Sequence, residues 1–354
     1  MATLTETAYV TRKGLNFLVI LIVVAIIFRM VLGGATGLWQ MLFPPPPTAP
    51  TLAFGKLPLP LAINNIATPS SAITYTLETP DGGLPVLPYA LRVYFMPKTT
   101  SSFGSFDRMK GVAGKLGFPA IPQRVSATTW RFVDSNNPLR TLDIDEVTLN
   151  FRVVNNFVSD QSLFNDKNFT SAEQAAGEAR SYFEGLGILP SDFSGGQPIV
   201  SFYSFDAGSL VLTTAPANAD AAGVTLTRAP IDSGIESLGK IPVVSPDFKQ
   251  GLVSIILAGT RDSGKRILES RFLVAGVDKE NWATYPPIPA TQAFEKLQSG
   301  KAIFASLPQN LGGNITIRKV YPAYLDPYPS QSFLQPVMVF SDERGFVAYV
   351  PLIQ

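Results

Sequence analysis

The first pattern along the chain is a continuous apolar run near its start, "LNFLVILIVVAIIFRMVLGG", from Leu15 to Gly34. A run of about 20 residues is long enough to cross a bilayer as a helix. Arg12 and Lys13 precede the run, whereas no basic residue lies between Arg29 and Lys56. The positive-inside rule therefore predicts a single-pass anchor, with residues 1–14 in the cytoplasm and the rest of the chain extracytoplasmic.

The anchor makes the lipid bilayer the first expected partner of the chain, through Leu15 to Gly34. Arg29 lies near the outer end of the run, where an arginine snorkels to the interface or contacts a partner helix. A cleaved signal peptide is the competing interpretation, but no clear A-x-A site follows, which favours an uncleaved signal anchor. Residues 35–60 then read as a stalk, because Pro44 to Pro47 favour stiff polyproline II structure.

Beyond the stalk, three segments carry apolar residues at helical spacing. The first is Ser105 to Gly117, and the third is Ala290 to Gly300. The second has the strongest start signal, because "TSAE" places Thr170 and Glu173 as a capping box before an apolar stripe that ends near Leu186.

Stretches with the period-two pattern of strands follow each predicted helix. They are Thr128 to Val133, Val147 to Val154, Ile199 to Phe205, Ser209 to Thr214, Asn314 to Leu325, Leu334 to Asp342 and Gly345 to Ile353. The recurrence predicts an α+β protein built from repeated helix-on-antiparallel-sheet units. The expected boundaries are 61–160 and 161–240, followed by 241–354 with an additional hairpin.

The region from Leu163 to Ile353 resembles the YycH/YycI type of extracytoplasmic regulatory protein and, more loosely, PepSY-type units. The matching positions are Ala283, Thr284, Tyr285, Pro286, Ala293, Phe294, Leu297 and Gly300, followed by "FLQPVMVF" and "GFVAYVPLI". This resemblance implies a non-enzymatic module that binds or restrains a membrane partner such as a sensor kinase.

The composition excludes several kinds of chemistry. The chain has no Cys and no His, so thiol nucleophiles, thiolate zinc sites, Ser-His-Asp triads and His-ligated metals are ruled out. A net charge of +1 gives no electrostatic case for nucleic acid. Carboxylate pairs, Ser–Lys dyads and all-oxygen metal sites remain available, but we expect no enzymatic activity and no cofactor.

A near match to a nucleotide-binding loop occurs at Gly259, Gly264 and Lys265, spaced as G-x-x-x-x-G-K. A P-loop has Ser or Thr after the lysine and opens a helix, but Arg266 stands there and strand alternation follows. The stretch is therefore predicted to be a β-hairpin that binds no nucleotide. Its tip is expected to be a charged surface turn in which Arg261 and Lys265 contact a partner.

The tripeptide Asp-Ser-Gly occurs twice, at Asp232 and at Asp262. Aspartic proteases pair two such aspartates, so an aspartic-type protease using Asp232 is one alternative. Asp-Ser-Gly is also common in turns, and that interpretation is favoured.

Two further clusters have both a functional and a structural interpretation. Asp143, Asp145 and Glu146 in "TLDIDEV" fit either an all-oxygen calcium site or a solvated strand face, and the alternation favours the strand. The loop from Val320 to Pro336 is rich in aromatic residues. Its members Tyr321, Tyr324, Tyr328 and Phe333 are candidate partner contacts, unless the loop folds back on the sheet.

The expected protein is thus a membrane-anchored extracytoplasmic module that binds or regulates a membrane or envelope partner. The main alternative is a structural envelope protein that self-associates or binds cell-wall polymer.

Overall fold

A computed structural model describes residues 12–30, 49–60, 73–80, 82–248, 251–308 and 313–354. The chain divides into two units, Met1–Ala49 and Pro50–Gln354. In the first unit, helix α1 (Arg12–Met30) has a mean hydropathy of 2.2 and is long and apolar enough for a membrane anchor or a signal sequence. Residues 31–34 of the predicted span and the proline stalk at Pro44 to Pro47 lie outside the described residues.

The second unit is a mixed α+β structure in which strands predominate. Its helices are α2 (Ser105–Lys115), α3 (Ala172–Leu186) and α4 (Ala290–Gln298). Its strands are β1 (Thr74–Leu77), β2 (Leu91–Phe95), β3 (Gln123–Arg124), β4 (Thr129–Val133), β5 (Arg140–Asp145), β6 (Phe151–Asn155), β7 (Ile199–Asp206), β8 (Ser209–Thr213), β9 (Ala221–Leu226), β10 (Ile231–Asp232), β11 (Lys240–Ile241), β12 (Val243–Val244), β13 (Val253–Ala258), β14 (Ile267–Phe272), β15 (Asp278–Tyr285), β16 (Ile303–Ser306), β17 (Asn314–Ile317), β18 (Lys319–Leu325), β19 (Phe333–Ser341) and β20 (Val347–Pro351).

The larger sheet has nine strands in the order β3-β4-β5-β6-β14-β13-β9-β7-β8. Every pairing in it is antiparallel. The hairpin of β13 and β14 lies at its centre, between strands that the sequence placed in the first and second repeated units. The predicted boundary at 240/241 therefore falls within this sheet.

Helices α2 and α3 both pack on one face of the nine-stranded sheet. Their buried residues, including Met109, Val112, Ala179 and Phe183, share a core with inward-facing strand residues such as Phe151. The small alanines of α3 allow its backbone to approach the strands closely, and this burial supplies most of the driving force for docking. Within the described residues, no helix packs on the opposite face of β4, β5, β6 and β14.

The second sheet has seven strands, with β12-β18-β19-β2-β15 as its main order and β20 and β16 added through β19. Helix α4 packs on it through Ala290, Ala293 and Leu297, which share a core with Phe340 and other buried strand residues. The two remaining pairs are β1 with β17, which is parallel, and β10 with β11, which is antiparallel.

The three predicted helices of the second unit and the predicted hairpin are confirmed, and three details are corrected. Helix α3 is capped by Ser171 rather than by Thr170 and Glu173. The Ser171 hydroxyl accepts a hydrogen bond from the backbone N–H of Gln174 at 3.2 Å. The Gln174 side chain completes the cap by accepting from the Thr170 amide at 2.8 Å. Strand β6 begins at Phe151 because a turn at 146–148 precedes it, and the segment 314–325 divides into β17 and β18.

Candidate functional site

A row of charged side chains crosses the helix-free face of the nine-stranded sheet. Strand register places Arg131 beside Asp143, Asp143 beside Arg152, and Arg152 beside Arg271. These residues alternate with core residues such as Leu142 and Phe272, which face α2 and α3. The strict two-residue period of each strand therefore gathers four charges from four strands on one face.

A cleft of about 510 Å³ lies against the middle of this row. Its lining combines the sheet residues Asp143, Arg152 and Arg271 with residues of two loops, at 246–247 and 328–330. We call it the Tyr328 cleft, after the tyrosine in its lining. Its volume lies within the range typical of small-ligand and side-chain pockets.

Most charges near the cleft are already paired. Arg131 binds Asp143 in a bidentate arrangement, with N–O distances of 2.6 and 2.7 Å. Arg152 donates to Glu269 at 3.2 Å. Burial opposes ionisation of Asp145, but hydrogen bonds from Thr128, Thr148 and the Val147 amide outweigh it and hold the pKa of Asp145 below its ordinary value.

Arg271 is the exception in this row. Its side chain is only 16% exposed, yet its two nearest carboxylate oxygens, on Asp247 and Glu269, both lie 3.9 Å away. Within the described part of the chain, its guanidinium makes no hydrogen bond at normal distance. A guanidinium has five N–H donors, so Arg271 can bind a carboxylate that enters the cleft.

The four aromatic residues predicted as partner contacts occupy different environments. Tyr328 is half-buried and lines the Tyr328 cleft. Tyr321 is also half-buried, and burial raises its pKa. Phe333 packs against Phe54, with ring centroids 5.0 Å apart.

The prediction for Tyr324 is corrected, because this residue is fully buried and is unavailable for direct contact. Its ring packs edge-on against Tyr94 at 5.6 Å, and its hydroxyl donates to the Arg92 carbonyl at 2.9 Å. Burial raises the pKa of Tyr324 well above that of a free tyrosine. Only part of the predicted aromatic loop is therefore open, since residues up to Leu325 belong to β18.

The predicted basic contacts of the hairpin loop are exposed and do not line the cleft. Arg261 and Lys265 lie in the loop between β13 and β14, and Lys265 pairs with Asp160 at 3.4 Å. Arg266, which replaces the hydroxyl residue of a P-loop, is bonded instead to both carboxylate oxygens of Glu178 on α3. Arg29 lies on an exposed face of α1 in the first unit.

Both Asp-Ser-Gly segments are turns stabilised by their own aspartate. Asp232 accepts from the Gly234 amide at 2.9 Å, and Asp262 accepts from the Gly264 amide at the same distance. Asp232 also binds Arg92 at 2.6 Å. The two carboxylates thus serve equivalent local roles.

The acidic cluster of "TLDIDEV" is divided among separate partners. Asp143 binds Arg131, Asp145 supports the following turn, and Glu146 accepts from the Trp130 indole at 2.7 Å. Among the described residues, no group of three or more acidic side chains is placed to hold a metal ion. The strand interpretation of Asp143 and Asp145 is confirmed by the alternating burial of β5.

Sequence reasoning missed Arg152 and Arg271, the two cations of the cleft. The alternation in "LESRF" identifies Arg271 as solvent-facing on its strand. Its position beside Arg152 depends on the pairing of β14 with β6, two strands more than one hundred residues apart. No local pattern encodes that pairing.

Comparison with known proteins gives neither a family nor a curated relative. No family model matches the chain, and no curated protein sequence matches it. Among solved structures, an uncharacterized protein from Eubacterium rectale is 11% identical, with a TM-score of 0.34, over 74% of this chain and 82% of the other. The C-terminal domain of YpeB from Bacillus megaterium is 10% identical, with a TM-score of 0.32, over 73% of this chain and 95% of the other. At TM-scores this low, neither similarity assigns a family or a function.

Proposed function

We propose that the chain is a membrane-anchored, non-enzymatic binding protein that acts on a membrane or envelope protein outside the cytoplasm, for example a sensor kinase. Helix α1 supplies the anchor, and the basic residues that precede the apolar run favour a cytoplasmic N-terminus. The second unit supplies the binding surface.

The observation that carries this proposal is the state of Arg271 in the Tyr328 cleft. The Arg271 side chain is 16% exposed, and within the described residues its guanidinium has no acceptor closer than the two carboxylate oxygens at 3.9 Å. A carboxylate from another molecule would supply closer acceptors. The favoured occupant is therefore an acidic side chain on an extended segment of a partner protein.

The walls of the cleft suit such a segment. Arg and Tyr are enriched at protein interfaces because they combine a large contact area with polar groups at their ends. Arg271 and Tyr328 both line this cleft. Bound between them, an acidic side chain would place its carboxylate on the sheet side and its apolar stem against the tyrosine ring.

The protease alternative receives no support from the surroundings of Asp232. This carboxylate is half-exposed, is paired with Arg92 and supports its own turn. An acid–base pair requires two carboxylates that share a proton, and the other Asp-Ser-Gly aspartate is used in a separate turn.

Site-specific photo-crosslinking in intact membranes tests the proposal. A photoreactive phenylalanine analogue replaces Tyr328 in the full-length chain, and a matched chain carries it at Phe103, which is fully exposed outside the cleft. We expect a discrete adduct with one membrane or envelope protein from position 328 and none of that mass from position 103. No adduct from position 328, or the same adducts from both positions, would contradict the proposal.

A further inference from the structure

Strand β8 forms one edge of the nine-stranded sheet and is unusually open for an edge strand. Its sequence, Ser-Leu-Val-Leu-Thr, contains no charge and no proline. Val211 is 49% exposed and Leu212 is 71% exposed. Within the described part of the chain, β8 pairs only with β7, so its outer side is unpaired.

Three other sheet edges of the second unit are protected in the usual ways. Strand β3, at the opposite edge, has two residues, and the Arg124 side chain folds back to the Ser126 carbonyl at 3.1 Å. Strand β12 also has only two residues, and β15 is covered by Leu52, whose amide donates to the Thr284 carbonyl at 3.1 Å. Short strands, charges and covering segments prevent unwanted pairing. Strand β8 has five uncharged residues, and no described segment hydrogen-bonds to its outer side.

The register with β7 fixes which backbone groups point outward. Asp206 pairs with Ser209 across the two-residue turn Ala207–Gly208. Ala207 and Gly208 both have positive φ angles, of 47° and 84°, as a tight hairpin turn requires. In such a hairpin the pair next to the turn exchanges its hydrogen bonds, and bonding alternates from there. Val211 therefore bonds to β7, whereas the amide and carbonyl groups of Leu210 and Leu212 face outward.

We propose that β8 pairs with β8 of a second copy of this chain, antiparallel and centred on Val211. The strand is self-complementary in this register. Val211 lies opposite Val211, Leu210 opposite Leu212, and Ser209 opposite Thr213. Apolar side chains thus meet apolar ones, hydroxyls meet hydroxyls, and no like charges oppose each other.

The same register satisfies the outward backbone groups. Leu210 of each copy exchanges two hydrogen bonds with Leu212 of the other, which gives four bonds about one two-fold axis. The two nine-stranded sheets would continue into each other across the axis. The surface is separate from the Tyr328 cleft, so the pairing does not depend on the proposed function.

Cysteine crosslinking tests this register directly, because the chain has no native cysteine. In the proposed pair the Val211 α-carbons are about 4.5 Å apart, a non-hydrogen-bonded pair within disulfide range. Full-length Val211→Cys in its native membrane should form a disulfide dimer under mild oxidation. The control is Val86→Cys, which is 96% exposed and lies away from β8.

A mixing experiment checks the register itself. Leu210→Cys and Leu212→Cys chains should crosslink strongly when they are co-expressed and only weakly when each is alone. Adding Leu212→Lys to the Val211→Cys chain should abolish the dimer, because the lysine would lie opposite the apolar Leu210 of the second copy. Dimer yields equal to the Val86→Cys control, or a Val211→Cys disulfide with a different protein, would overturn the proposal.

Discussion

Arg228 and Asp326 form a buried ion pair between the two sheets, with 2.6 Å between Nε and Oδ2. Arg228 follows β9 of the nine-stranded sheet, and Asp326 follows β18 of the seven-stranded sheet. The Arg228 side chain is 1% exposed and binds a second carboxylate, Asp192, at 2.5 Å. One guanidinium thus holds two carboxylates out of water and joins the sheets at a fixed point.

Replacing this arginine should be among the most destabilising single changes in the protein. Arg228→Met fills a similar volume but leaves Asp192 and Asp326 buried without a cation. We expect the free energy of unfolding to fall by about 3–5 kcal/mol in urea titrations. Arg131→Met, which breaks a half-exposed pair with Asp143, should cost only about 0–1 kcal/mol. Equal effects would show that Arg228 does not join the sheets.

The same cluster should give the stability a pH dependence. Burial raises the pKa of Asp326 above its ordinary value of 3.8, the neighbouring Asp192 adds to this, and Arg228 opposes it. The folded state therefore holds the proton of the Asp326 carboxyl more tightly than the unfolded state. The resulting contribution to the free energy of unfolding is fully present below the pKa of the unfolded state. It is lost as the pH rises through the folded pKa.

Asp326→Asn removes this titrating carboxyl group. From about pH 4 upward, until the raised pKa is passed, the wild-type free energy of unfolding should fall relative to that of the variant by at most about 1.4 kcal/mol per pH unit. Urea titrations at a series of pH values measure both slopes. Parallel slopes in the two proteins would rule out a raised pKa for Asp326.

The hairpin loop provides a matched pair of neighbouring cations. Arg266 binds Glu178 and also donates to the carbonyls of Ala258 and Thr260, at 2.8 and 2.9 Å. Lys265 makes two longer contacts at exposed positions, with Asp160 at 3.4 Å and with the Ser162 hydroxyl at 3.5 Å. Arg266→Ala should lower the free energy of unfolding by about 1.5–3 kcal/mol, whereas Lys265→Ala should change it by less than about 1 kcal/mol. The reverse order would be inconsistent with a structural role for Arg266.

Membrane anchoring by α1 is tested by a charge at its centre. Val23→Arg adds a cost of about 2.5–3.5 kcal/mol to insertion of the helix. We expect the full-length variant to shift from the carbonate-resistant membrane fraction to the soluble fraction. Val86→Arg, on an exposed loop of the second unit, should leave the distribution unchanged. Retention of Val23→Arg in membranes would count against anchoring by this helix.

The sequence predicts elements well here because their signals are local. The stripe that ends at Leu186 identifies α3, and the alternation after Arg266 correctly distinguishes β14 from the helix of a P-loop. The predicted cap of α3, Thr170, lies one residue before the observed cap, Ser171, because both residues carry a hydroxyl that can cap a helix. Only the structure shows that the Ser171 hydroxyl accepts the hydrogen bond from the backbone N–H of Gln174.

The candidate site was not predictable to the same degree, because it depends on pairings between distant segments. Arg152 and Arg271 become neighbours only when β6 pairs with β14, and Tyr328 reaches them from the other sheet. Tyr324 shows the same limit, because its aromatic loop contains the end of a buried strand. Composition identifies aromatic residues but does not separate Tyr324 in the core from Tyr328 in the cleft.

The most direct test of the central claim combines the Tyr328 photo-crosslinker with charge changes at Arg271 in the full-length chain. Arg271→Glu should abolish the adduct, because it places a carboxylate opposite the acidic side chain of the partner. Arg271→Lys should retain part of it, and urea titration should show both variants folded. A folded Arg271→Glu chain that gives the wild-type adduct in undiminished yield would contradict the role of the Tyr328 cleft in binding an acidic partner.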